Sequence, residues 1–335
     1  MQEPNAIENA LSAALKGFAR SINNSGADVV GDLSSIVEIT NRLALLNLSH
    51  WERLIRDEFS SALDNTAPQK WMLWRKPSRF LTWLDLVSSD GYMREKALRS
   101  ISGPAPNAFF FSLAIRRLND WVPQVREAAA EKLPLMAKET GPEHVVDALC
   151  HALSNWNSWG RIQRADRQVL LEIISNKELL KPLKSRLIYS ASGPMATLLT
   201  QIGRTSLLDA HLSEIAEQAI QPAVRAKAYR SQFEGKMIWT EGRKWEWIDV
   251  RYCKGGWKPI FFERELEVAP PSSIDLLEKS AVDRSTFVRR VAAEFLIRDA
   301  ETLGDQAMRF AKLFAADSSR PVAERGQFVL KMLGI

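Results

Sequence analysis

Three stretches of the chain pair aromatic rings with arginine or lysine, the combination that stacks on bases or anchors a protein interface. In NWNSWGRIQRADR, Trp156 and Trp159 stand just ahead of Arg161, Arg164 and Arg167, and the arginines step by three, which predicts one shared helical face. In WMLWRKPSRFLTW (71–83), Arg75, Lys76 and Arg79 fall among Trp71, Trp74 and Trp83. The third stretch, 236–268, carries Trp239, Trp245, Trp247, Tyr252, Trp257, Phe261 and Phe262, interleaved with Arg243, Lys244, Arg251, Lys254 and Lys258. The plainer reading of the first two is a solvated basic face over packed tryptophan. The plainer reading of the third is a plug that fills a gap, because exposed aromatics are unfavourable on a resting monomer.

Other groups offer less. His144, Asp147 and His151 lie at steps of three and four on one predicted helix, a spacing that matches no known metal-ligand signature, and they read as partly exposed structural residues. Cys150 and His151 are adjacent and do not face each other on a helix, so they make no nucleophile–base pair. The motifs GxxxxGK[ST], GxGxxG, HExxH and GxSxG are absent. These residues offer no catalytic, metal-ligand or cofactor constellation, and the expectation leans away from an enzyme.

Composition sets few further limits. With 335 residues, 46% hydrophobic and 25% charged, the chain can bury a large core. A net charge of +5 is mildly basic and does not choose a partner. Two cysteines without a CxxC fit a reducing compartment. The N-terminus lacks the basic and apolar regions of a secretory signal, and no run of about 18 apolar residues occurs. The expectation is a cytoplasmic protein with no membrane association.

The elements that must position these residues are helical nearly throughout. Ile7, Leu11, Leu15, Phe18 and Ile22 form one stripe at steps of three and four. Leu33, Ile36, Val37, Thr40, Leu43 and Leu46 form a second, and Trp51, Leu54, Ile55, Phe59 and Leu63 a third. Beyond them the sequence repeats. DWVPQVREAAAEKL (120–133) and DRSTFVRRVAAEFL (283–296) share an Asp followed at fixed distances by Val, Arg and Ala. Met93-Arg94-Ala97, Val224-Arg225-Ala228 and Asp317-Val322-Gly326 repeat the pattern in part. The Val-equivalent positions 93, 125, 224, 288 and 322 are spaced near multiples of about 33 residues, a length typical of helical hairpins. Two degenerate repeats are expected between 125 and 224. Pro106, Pro123, Pro142, Pro194, Pro222 and Pro321 are expected in first helical turns.

This pattern resembles the HEAT repeat family over roughly residues 77–335. The resemblance implies a right-handed α-solenoid whose concave face is lined by the second helix of each pair. Arg94, Arg126, Arg225 and Arg289 recur at one repeat position; their functional reading is a basic strip for phosphates, and the resemblance implies instead a ladder with inter-helix aspartates such as Asp120 and Asp283. The physical logic is independent of the family: one helix pair cannot bury its apolar faces, but a stack can. Helical-repeat proteins also include DNA glycosylases, and no pair here matches that motif.

Residues 234–270 break the pattern. Ile248, Val250 and Tyr252 alternate with Trp247, Asp249 and Arg251, and turn signals stand at Glu241-Gly242 and Gly255-Gly256. The expectation is a small inserted β-hairpin or three-stranded meander. The organisation is thus an all-α chain of about seven helix pairs: a helical cap (1–70), repeats (71–233), the β insertion (234–270) and further repeats (271–335). Repeat solenoids offer long surfaces and little preorganised chemistry. The functional expectation is therefore a non-catalytic scaffold or adaptor for a protein partner, through Trp239–Lys258 and the Trp156–Arg167 cluster. A nucleic-acid-binding, DNA-glycosylase-like solenoid is the alternative.

Overall fold

A computed structural model describes residues 4–24, 32–66 and 81–334. Trp71, Trp74, Arg75, Lys76 and Arg79 lie outside the described residues. The chain is mostly helical, with one two-stranded antiparallel sheet, and divides into two compact units, Met1–Ile173 and Ile174–Ile335. The division falls inside the stretch 71–233 that reads as one run of repeats.

The first unit contains α1 (Pro4–Asn24), α2 (Ser34–Thr40), α3 (Leu48–Thr66), a 3-10 turn (Trp83–Val87), α4 (Gly91–Ser100), α5 (Ala108–Arg116), α6 (Pro123–Glu139), α7 (Pro142–Asn155) and α8 (Arg164–Ile174). The stripes of α1 and α3 are buried at Leu11, Leu15, Phe18, Ile55 and Phe59, and α1 packs on α3. The second stripe breaks: α2 stops at Thr40, and Leu46 is exposed. At the centre lies α5, whose Phe109, Phe110 and Phe111 are all fully buried. It packs on α3 and α7, while α4 packs on α6. Helix starts are fixed by local chemistry. Thr82 and Asp85 form a reciprocal capping box, and the Asn107 side chain accepts from Phe110 N–H while donating to Thr40 Oγ1.

The second unit contains α9 (Leu180–Tyr189), α10 (Met195–Ile202), α11 (Leu212–Gln218), α12 (Pro222–Glu234), β1 (Lys236–Asp249), β2 (Lys254–Glu265), α13 (Ser273–Ala281), α14 (Thr286–Leu303), α15 (Asp305–Ala315) and α16 (Arg320–Met332). Here α10, α12, α14 and α16 each pack on the next of that series, and α12, α14 and α16 also pack on the helix that precedes them in the helical order. Because α12 meets α14 directly, the 64 residues between Val224 and Val288 are one step of the packing with the hairpin inserted. Between α6 and α12 the chain forms α7 to α11, of which α7 packs on α5, and α10 on α9 and α12. Pro123, Pro142, Pro222 and Pro321 sit in first turns. Pro106 does not, since it precedes the Asn107 cap, and Pro194 is itself the cap of α10.

The arginine pattern is a structural register. The fourth residue is arginine in α4 (Arg94), α6 (Arg126), α8 (Arg167), α12 (Arg225) and α14 (Arg289). Three of them make two hydrogen bonds to the aspartate that stands three residues ahead of a later helix. Arg94 donates to Asp120 at 2.8 and 2.7 Å, Arg225 to Asp283 at 2.8 and 2.8 Å, and Arg289 to Asp317 at 2.6 and 2.9 Å. Their remaining terminal nitrogen turns back to the carbonyl six residues earlier, Ser88, Ala219 and Asp283 respectively. Each aspartate in turn accepts the N–H two residues on, from Val122, Ser285 or Ser319. One rung thus ties two helices and the loop between them with charge-assisted bonds.

Arg126 departs from this. It keeps the backward bond to Asp120 O at 2.8 Å, but the residue three ahead of α8 is Arg161, a like charge where the other rungs have an acceptor.

Candidate functional site

Gly235 ends α12 with a φ of 66°, a conformation that costs other residues their Cβ clearance, and lets the chain turn into β1. The base of the hairpin is then clamped. Arg264 on β2 donates to Gly203 O at 2.8 Å, to Thr205 O, and to both oxygens of Asp209 at 2.8 and 2.6 Å. Asp209 also accepts Glu267 N–H, and Lys227 Nζ on α12 donates to Ile238 O at 2.8 Å. Burial, with the charge of Arg230, lowers the Lys227 ammonium below the ordinary lysine range, against the opposing pull of Glu234. Met237 is buried against Gly203, where an added Cβ would stand 2.6 Å from its side chain. The hairpin base is therefore part of the core of the C-terminal unit.

Beyond the base, the ribbon changes its facing. Lys236 to Thr240 pair with Glu265 to Phe261, and Arg243 then pairs with Pro259. Two residues, Glu241 and Gly242, oppose the single Ile260, which makes a β-bulge. Side chains alternate by two along a strand, so the extra residue turns the odd positions of β1 to the opposite face. Trp239 belongs to the anchoring face with Met237, stacked on Phe262 at 6.3 Å, and the Arg204 guanidinium lies 5.3 Å from its ring. Arg243, Trp245 and Trp247 belong to the other face, together with Trp257 and Phe261. The Trp245 ring meets Trp247 at 5.6 Å and Trp257 at 5.7 Å, both edge-on, and all three are exposed.

The hairpin is two-stranded, not a meander. Glu241-Gly242 is the bulge, and Gly255-Gly256 lies within β2, where the indole of Trp245 covers Gly255. The turn falls at 250–253, with Cys253 at a φ of 50°, so Val250, Arg251 and Tyr252 belong to the turn and not to a strand. Arg251, Tyr252 and Lys254 are exposed there. On the anchoring side of the distal half, Lys244 and Lys258 face each other directly, a like-charge pair that is unfavourable by itself. Glu246 reaches Lys258 at 3.2 Å and offsets part of it.

The Trp156–Arg167 cluster comes apart. Trp156 is 0% exposed and belongs to the core of the N-terminal unit, so it offers no stacking face. Arg161 precedes α8 and does not share a helical face with Arg164 and Arg167; its N–H, like that of Ile162, donates to Asn119 Oδ1. Arg167 occupies the ladder register, with its guanidinium 6.0 Å from the Trp156 ring. Arg164 is exposed and Trp159 half-buried. The register position of Arg167 is hidden in the sequence because Asp166 stands where the repeat has Val. It acts there as a cap, accepting Gln163 N–H at 2.8 Å.

Among the described residues no group of three or more His, Cys, Asp or Glu side chains could hold a metal ion. His144, Asp147 and His151 all lie on α7. Burial, with the charge of Arg116, lowers His151 below the ordinary imidazole range, so it stays neutral near pH 7. No helix of the described residues is long and apolar enough to cross a membrane. No protein-family model and no curated protein matches the chain.

Proposed function

We propose that the chain is a non-catalytic adaptor, built as a right-handed α-solenoid of HEAT-type helix pairs, that captures a protein partner with its hairpin. The observation that carries the reading is the division of labour along one ribbon. Its base is locked by Arg264, Asp209 and Met237, while Trp245, Trp247 and Trp257 line one face of its distal half in solvent, with Phe261 exposed on the same face just before the bulge. A plug would bury those rings. Rigid aromatic anchors on a fixed arm lose little entropy on docking and are typical of binding hot spots. The paired Lys244 and Lys258 favour a partner that brings carboxylates to the opposite face. The solenoid is supported by the recurrent fourth-residue arginines and by the packing of α10, α12, α14 and α16 in series. The nucleic-acid alternative loses the Trp156 half of the stacking cluster on which it drew.

A photocrosslinking residue at position 247 of the full chain tests this reading. The expected product is a protein adduct that survives nuclease treatment and disappears when Trp245 and Trp257 are changed to alanine. A nuclease-sensitive adduct, or a protein adduct indifferent to those changes, overturns it.

A further inference from the structure

The N-terminal unit holds a cavity of about 370 Å³ where the end of α5 meets the loops ahead of α4, α6 and α8. Five arginines line it, Arg56, Arg94, Arg116, Arg117 and Arg161, against two carboxylates, Glu52 and Asp120. Five positive charges less two negative leave an excess of three.

Both carboxylates are already engaged by arginines of the same cavity. Asp120 accepts twice from Arg94 and once from Arg117 at 3.2 Å, besides Val122 N–H. Glu52 takes Arg116 at 3.0 Å and Arg117. Even so, the buried Nε of Arg117 has no acceptor among the described residues. Arg56 has only Asp57 at 3.4 Å, a largely solvent-exposed carboxylate, and Arg161 has no carboxylate within pairing distance among the described residues. A buried donor without a partner is costly, and several arginines converging on one concave space fit the geometry of a phosphate.

The surroundings add size and shape. Trp121, 66% exposed, stands at the same cavity with the Arg94 guanidinium 5.8 Å from its ring. A second cavity of about 270 Å³ shares Arg116 and Asn119 and is lined by neutral groups, among them Trp159, Asn155, Ser49 and the neutral His151. Asn119 holds the backbone of Arg161 in place. A charged chamber adjoining a neutral chamber with an aromatic wall matches an anion attached to a flat, hydrogen-bonding body.

We infer that this paired cavity binds a nucleoside phosphate, with its terminal phosphate among Arg56, Arg116, Arg117 and Arg161. The phosphate belongs either to a free nucleotide or to the phosphorylated 5′ end of a strand. The site is built from residues of the N-terminal unit alone and does not depend on the adaptor reading.

Calorimetric titration of the full chain at low salt tests it, with adenosine, adenosine monophosphate, and an oligonucleotide with and without a 5′-phosphate as probes. The monophosphate or the phosphorylated oligonucleotide is expected to bind and adenosine is not, with affinity falling as salt rises. Binding of the monophosphate identifies a free nucleotide; binding of the phosphorylated oligonucleotide alone identifies a strand end. Arg161→Ala and Arg56→Ala should each weaken binding about tenfold or more. Neither guanidinium belongs to the buried network, so the melting temperature should hold. The inference is overturned if no phosphate-bearing probe binds at millimolar concentration, if neither substitution weakens binding, or if the oligonucleotide binds equally without its phosphate.

Discussion

Arg225 and Asp283 stand 58 residues apart in the chain and are joined by two parallel hydrogen bonds of 2.8 Å, with the whole hairpin lying between them in sequence. The pair shows that the insertion leaves the step from α12 to α14 intact. Arg225 is 1% exposed and also donates to Ala219 O and Ile220 O, so removing it strands both the aspartate and two carbonyls.

Arg225→Ala is accordingly expected to cost about 3–5 kcal/mol, because it leaves a buried charge without its partner. Arg126→Ala removes one bond to a backbone carbonyl and should cost about 1 kcal/mol. Urea denaturation of the two variants gives the order. Equal losses would show that the rung itself adds nothing.

The ladder should also make the fold acid-sensitive. Burial works to raise the Asp120 carboxyl, but hydrogen bonds from Arg94 and Val122 N–H and the charge of Arg117 overcome it and hold the group below its ordinary 3.8. The Arg289 hydrogen bonds do the same for Asp317, assisted by Ser319 N–H, with burial opposing. A carboxyl lowered in the folded state contributes stability that is complete above its unfolded pKa and is lost as pH falls through the folded value. Denaturation midpoints should therefore hold down to about pH 4 and drop below it, and Asp120→Asn should flatten that drop.

Arg161 occupies the place where the other rungs have aspartate. Arg161→Asp should give Arg126 an acceptor and raise stability by about 0.5–1 kcal/mol, the modest gain of a half-exposed pair. Thermal denaturation measures it. A lower melting temperature would mean that Arg161 does structural work in its present position.

Arg264→Ala should free the hairpin without melting the helices. Limited proteolysis is expected to cut within 236–268 much faster in the variant, while the far-UV helical signal persists. An unchanged cleavage rate would place the clamp elsewhere, with Met237 the next residue to test.

Gly255→Val would put a side chain where the Trp245 indole lies, 2.6 Å from an ideal Cβ. The expected result is a shift in tryptophan emission with little change in melting temperature, since the rings are already in solvent. A large loss of stability would argue that the tryptophan cluster supports the fold.

Much of this arrangement is legible from residue spacing. The stripes of α1 and α3 predict their buried faces, and the recurring arginine position predicts the rungs at Arg94, Arg225 and Arg289 but wrongly extends them to Arg126. What escapes prediction depends on contacts between distant residues. Gly255-Gly256 has the composition of a turn and lies in a strand because Trp245 covers it. Trp156 and Trp159 look equivalent in sequence, yet only packing separates the buried ring from the half-buried one. The paired cavity has no local signature at all, since its arginines come from α3, α4, α5 and two loops.

The bulge at Glu241-Gly242 has a consequence of its own. It gives β1 two addresses, odd positions facing the protein before it and facing outward after it. Deleting a single residue there would leave every tryptophan in the chain and rotate the outer half of the ribbon by half a turn. Trp245 and Trp247 would then point back toward the body, and Lys244 would take their place. In this arm, what is offered to a partner is decided by parity as much as by composition.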